Sequence, residues 1–148
     1  MSDPGTTAPT VAAPPLVSVV LVDVRAERMG VMRVLLESSG LVVVMGEADS
    51  AAAAVEEVGR TCADVVVVEI QMPVEVGLET VAVLRQHFPR LGILVCSFHQ
   101  TERTQRLALD NGADGYLNKP VDVASLREQL QHIASARPVL QGDRVPTA

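Results

Sequence analysis

The chain has 148 residues, which suits one compact domain and is too short for two full ones. Apolar residues make up 48% and charged residues 20%, enough for an aliphatic core under a soluble surface, while a net charge of −6 with no basic run argues against a general nucleic-acid or anionic-membrane binder. No apolar run approaches the ~20 residues that span a bilayer, and no basic segment precedes an apolar stretch at the N-terminus. Neither a membrane anchor nor a signal peptide is therefore expected, and a cytoplasmic location is.

In chain order, Pro4, Pro9, Pro14 and Pro15 among small residues predict a flexible tail over 1–15. Leu16–Val22 reads as a buried strand. Ala26–Ser38 follows as a helix with Met29, Met32, Leu35 and Leu36 on one face, closed by Gly40, which tolerates the left-handed conformation common after helices. A second strand is expected over Leu41–Met45 and an Ala-rich helix over Ala51–Gly59. Val65–Ile70 is the third strand, with a helix over Leu78–His87 that stops before Pro89. Leu91–Ser97 is the fourth strand. Thr101 is placed to cap the next helix, which ends near Gly112. Gly115–Leu117 is the fifth strand, and Asp122 caps a last helix with Val123, Leu126, Leu130 and Ile133 as its buried stripe. A second flexible tail covers 137–148. Cys62 and Cys96 lie far apart in no metal-ligand spacing, and both read as buried free thiols.

Five short apolar strands alternating with five helices predict a single α/β domain over 16–136: a flavodoxin-like, doubly wound (βα)5 fold with a five-stranded parallel sheet. In such sheets the functional site lies at the carboxyl ends of the strands. The polar residues there are Asp23, Glu69, Ser97 and Lys119. Two acids, a hydroxyl and a lysine at one sheet edge suit a phosphate or a metal.

These positions carry a resemblance. The segment "VVVVEIQMPVEVGLETVAVLRQHFP" is similar to the stretch of bacterial response-regulator receiver domains that holds their phospho-accepting aspartate. "GADGYLNKP" resembles the family's lysine signature, "LVCS" its Ser/Thr strand, and "LVDV" its acidic pair. The resemblance covers 16–136. It implies a domain of the kind that takes a phosphoryl group from a histidine kinase, with Mg²⁺ neutralising the charge. It assigns Lys119 and Ser97 to the phosphoryl contacts, Asp23 to the first acidic position and Tyr116 to the switch aromatic. Pro120 matches a proline that often follows a cis bond.

The chain departs from that pattern in three places. Glu69 stands where the family has its acceptor Asp, with roughly 1.5 Å of extra reach in a reaction that tolerates errors of about 1 Å poorly. Val24 stands at the second acidic position, where valine cannot bind the hard cation Mg²⁺. Phe98 stands where the family has a small residue, and is expected to fill the space beside Tyr116. The resemblance therefore implies a pseudo-receiver with a degenerate site, no metal and no catalytic residue. Glu69 is expected to pair permanently with Lys119 or Ser97, either imitating the phosphorylated state or simply leaving the pocket inactive.

The expected role is a signalling module that binds a protein partner without phosphorylation. A homodimer through the helix 4–strand 5–helix 5 face is also expected, where Arg103, Arg106 and Tyr116 lie. Residual phosphotransfer from a histidine kinase and gating by a small ligand remain alternatives. No DNA-binding helix-turn-helix is expected after the domain. An unrelated small α/β enzyme would need a Gly-rich phosphate loop or a nucleophile with its base; the first loop, "DVRAERMG", has no Gly-x-Gly pattern, and His87, His99 and His132 do not cluster in sequence.

Overall fold

The computed structural model describes residues 16–71, 73–98 and 101–136. The two tails predicted from composition, and His99, lie outside them. The described chain alternates strictly: β1 Val17–Val22, α1 Ala26–Ser38, β2 Val42–Ala48, α2 Ala51–Thr61, β3 Val65–Ile70, α3 Val74–His87, β4 Gly92–Ser97, α4 Glu102–Asp110, β5 Gly115–Asn118 and α5 Val123–Ala136. All strand pairs are parallel, in the order β2-β1-β3-β4-β5. The single flavodoxin-like α/β domain is therefore as the apolar pattern predicts.

Period-two alternation divides the core into two layers. Val66, Val68 and Ile70 of β3 pack with Ala54, Val58, Leu78, Val81 and Leu84 of α2 and α3. Val65 and Val67 pack on the other face with Met29, Met32 and Leu36 of α1 and Leu126, Leu130 and Ile133 of α5. Strands β3 and β4 are buried along their whole length, which is why they read as apolar runs up to Glu69 and Ser97 near their ends.

Local chemistry closes several elements as expected. Gly40, after α1, has φ +74°. Thr101 accepts a hydrogen bond from the Thr104 N–H at 3.1 Å, and Asp122 accepts one from the Ser125 N–H at 2.7 Å.

Two boundaries differ from expectation. Strand β2 runs on past Met45 to Ala48 because the pairing with β1 skips one residue: Val19 faces Val44, and Val20 faces Gly46. Met45 is the extra residue of this bulge and turns toward solvent, which an edge strand permits. Helix α3 begins at Val74, one turn before Leu78. Gly77, in the first turn of α3, is a point of close approach between α3 and β3. A Cβ there would sit 2.5 Å from the Ile70 side chain. One cysteine also departs from its reading: Cys96 is buried, whereas Cys62 is half-buried at the end of α2 with φ +54°.

Candidate functional site

The connections reverse direction at β1 and β3, so the crevice of this sheet opens where those two strands end. Asp23 follows β1. Glu69 is the next residue on the Val65–Val67 side of β3, with Cys96 as its register neighbour on β4. Lys119 follows β5, and the Lys119–Pro120 bond is cis.

Both acids are buried, Asp23 at 1% and Glu69 at 5% exposure. A buried carboxylate needs a cation or hydrogen bonds to stay charged. Lys119 supplies the first: its Nζ donates to Glu69 Oε2 at 2.8 Å. Asp23 takes the second: its Oδ1 accepts from the Arg25 N–H at 2.9 Å and from Gln71 Nε2 at 2.8 Å. The remaining oxygen of each acid, Asp23 Oδ2 and Glu69 Oε1, is buried with no hydrogen-bond partner among the described residues.

That arrangement sets the titration of Glu69. Burial pushes its carboxyl up from 4.5 to about 7; the neighbouring Asp23 carboxyl adds to the rise, and Lys119 opposes it. A proton on Glu69 gives one of the two orphaned oxygens its partner. The neighbouring Cys96 thiol is pushed up to about 12, chiefly by burial, and is inert as a nucleophile.

Of the residues expected to converge, Asp23, Glu69 and Lys119 lie together at this edge. Ser97 is fully buried at the end of β4, where its carbonyl accepts the Lys119 N–H at 2.8 Å. Glu69 pairs with Lys119, one of the two partners expected for it. Val24 is half-exposed and turned away from the core. Phe98 does not fill a pocket at Tyr116: it is 57% exposed, and its ring centroid lies 5.1 Å from Lys119 Nζ. Tyr116 is half-buried against the α2–α3 layer, and Arg103 and Arg106 are exposed on α4.

Gln71 is the residue that sequence reasoning missed. It lies two positions past Glu69, in the loop, and its role depends on a carboxylate 48 residues away. The only available signal was an amide at the strand edge beside two acids.

No group of three or more His, Cys, Asp and Glu side chains is placed to hold a metal ion among the described residues. A cleft of about 260 Å³ adjoins the site on its α2–α3 side, walled by Val22, Val24, Val68 and Val76 with Ser50 and Thr80.

A five-stranded 2-1-3-4-5 sheet with an acid–lysine network at its carboxyl edge defines a receiver-type α/β module. The profile of the response regulator receiver domain matches residues 19–131, and the chain belongs to that family. It is 36% identical over 117 residues to the transcriptional regulatory protein DegU of Brevibacillus brevis, covering 78% of this chain and 49% of that one. It is 27% identical to the chemotaxis protein CheY of Halobacterium salinarum, covering 80% and 97% of the two chains. The chain thus spans about half the length of the DegU relative and nearly all of the CheY relative. Among solved structures, the signal receiver domain of NarL from Mycobacterium tuberculosis superposes with a TM-score of 0.71 at 33% identity, covering 84% of this chain and all of that one. Among the described residues no helix is long and apolar enough to cross a membrane.

Proposed function

We propose that this receiver domain is a pseudo-receiver: a cytoplasmic, non-enzymatic module of phosphorelay-type signalling that works by binding a protein partner without being phosphorylated. The observation that carries this reading is the 2.8 Å bond from Lys119 to Glu69, in which the lysine side chain is 16% exposed and the carboxylate 3%. In a phosphorylatable receiver the lysine must be available to a phosphoryl oxygen. Here an internal carboxylate already occupies it.

Glu69 stands at the acceptor position in this reading, and the pair imitates part of the phosphorylated state. A carboxylate carries less charge and fewer acceptor oxygens than a phosphoryl group, so the imitation is partial. The residues present do not fit Mg²⁺. The ion keeps several of its waters, whereas the two oxygens left over on Asp23 and Glu69 are closed to solvent, and Val24 adds no ligand. Partner binding, or pairing of two copies, falls to the exposed α4–β5–α5 face with Arg103 and Arg106.

The test is incubation with acetyl phosphate and Mg²⁺, read by intact mass beside an ordinary receiver domain. No adduct on this chain, with the control labelled, is expected. An adduct overturns the reading in favour of residual phosphotransfer. The apolar cleft beside the site favours a second reading, gating by a small apolar ligand.

A further inference from the structure

Lys119 is the only lysine in the chain; every other cationic side chain is arginine. Its ammonium has the Glu69 carboxylate on its inner side at 2.8 Å. The face of the Phe98 ring lies 5.1 Å from the same nitrogen. Phe98 immediately follows β4, whose last residue, Ser97, is hydrogen-bonded through its carbonyl to the Lys119 backbone. The two side chains are thus anchored at adjacent strand ends. Phe98 itself is 57% exposed, so nothing in the core requires a large ring there. What singles it out is its placement over the one lysine of a buried network.

We propose that Phe98 is a positioning residue that caps the Lys119–Glu69 ion pair. It holds the ammonium on Glu69 and closes it to anions arriving from solvent. Two physical effects act together. The negative face of the ring attracts the ammonium. Its bulk also excludes water from the outer side of the ion pair, and lower local polarity strengthens the attraction to Glu69. Arginine is a poor substitute for Lys119 in this geometry, because a compact ammonium fits between a carboxylate and a ring where a planar fork would reach past them. The cap rests on the reading that Glu69 and Lys119 form a standing pair, and it specifies what keeps that pair closed.

The test uses the reactivity of the single lysine. The full chain is treated with a limiting amount of an acetylating N-hydroxysuccinimide ester at fixed pH. Acetylation of Lys119 is then read by peptide mass spectrometry against the N-terminal amine as internal standard. Wild type is compared with Phe98→Ala, Phe98→Leu, Phe98→Tyr and Glu69→Gln. Phe98→Ala is expected to raise the Lys119 rate about two- to fivefold, the factor that an exposed cation–π contact is worth. Phe98→Tyr should restore the wild-type rate, and Phe98→Leu should fall between, since it covers without a ring face. A wild-type rate in Phe98→Ala overturns the cap. If Glu69→Gln still accelerates labelling in that case, the standing pair survives and only the cap is wrong. If Glu69→Gln also labels at the wild-type rate, the pair itself fails, and the cap with it. Circular dichroism on each variant confirms that the fold is intact.

Discussion

Two ionic networks stand at opposite edges of this sheet, and they differ in how completely their hydrogen bonds are made. At the amino-terminal edge, Arg85 of α3 donates to the carbonyls of Phe88, Pro89, Leu91 and Gly112, and pairs with Asp114 at 2.9 Å. Asp114 also accepts the Ile93 N–H. The guanidinium thereby staples the end of α3 to the entries of β4 and β5. Gly112 takes part with φ +118°, and a Cβ there would sit 2.7 Å from the Arg85 side chain. At the carboxyl edge, Asp23, Glu69 and Lys119 leave two buried oxygens without a partner among the described residues. The first network uses its donors to the full and serves stability. The second keeps unsatisfied acceptor oxygens in the interior, a cost that clusters at functional sites.

The contrast makes quantitative predictions. Arg85→Ala should destabilise the domain by about 3 kcal/mol, near the lower bound for breaking a buried ion pair because both side chains keep some exposure. The urea midpoint checks this. A loss under about 1 kcal/mol would remove the distinction between the two edges.

At the carboxyl edge the effect appears as pH dependence. The folded Glu69 carboxyl titrates at about 7, above its ordinary 4.5, so between these values the folded state binds more protons than the unfolded one. Its contribution is full below about pH 4.5 and is lost as pH rises through 7. The loss is at most about 3 kcal/mol across that window. Urea unfolding at pH 5 and pH 8 should show this decline in wild type and a flatter profile in Glu69→Gln. Equal slopes would mean that another group sets the dependence.

Asp23→Asn removes the negative neighbour and supplies a donor to Glu69. It should lower the Glu69 titration point and shift the stability window to lower pH, by an energy of about 1 kcal/mol. A carbon-detected NMR titration of the Glu69 carboxyl reads it directly. The smallest effect expected belongs to neither network. Ser50 caps α2 by accepting the Ala53 N–H at 3.1 Å, and Ser50→Ala should cost about 0.5–1 kcal/mol with no change in pH dependence. If that variant moved the pH profile, the profile would not report on Glu69.

Much of this was legible in the chain, for identifiable reasons. Continuous β-branched runs such as Val65–Val68 encode strands covered on both faces, because only such strands need no polar alternation. The caps at Thr101 and Asp122 and the turn at Gly40 are local chemistry, readable over three or four residues. Strand-end placement of Asp23, Glu69 and Lys119 followed from the strands themselves. The boundaries that differ depend on contacts between elements: α3 starts one turn before Leu78, with Gly77 packed on Ile70, and Met45 looks like a strand end until β1 skips it.

By itself, then, the sequence determined the order of elements, the two-faced core and which edge would carry the polar residues, since apolar periodicity and capping act over short stretches of chain. Only the tertiary structure decided that Glu69 binds Lys119 across 50 residues, that Gln71 holds Asp23 across 48, and that Phe98 turns outward over the lysine. Those choices are made by side chains from different strands competing for the same buried space. No local pattern records that competition, because its cost and its gain both arise only when the strands are packed together.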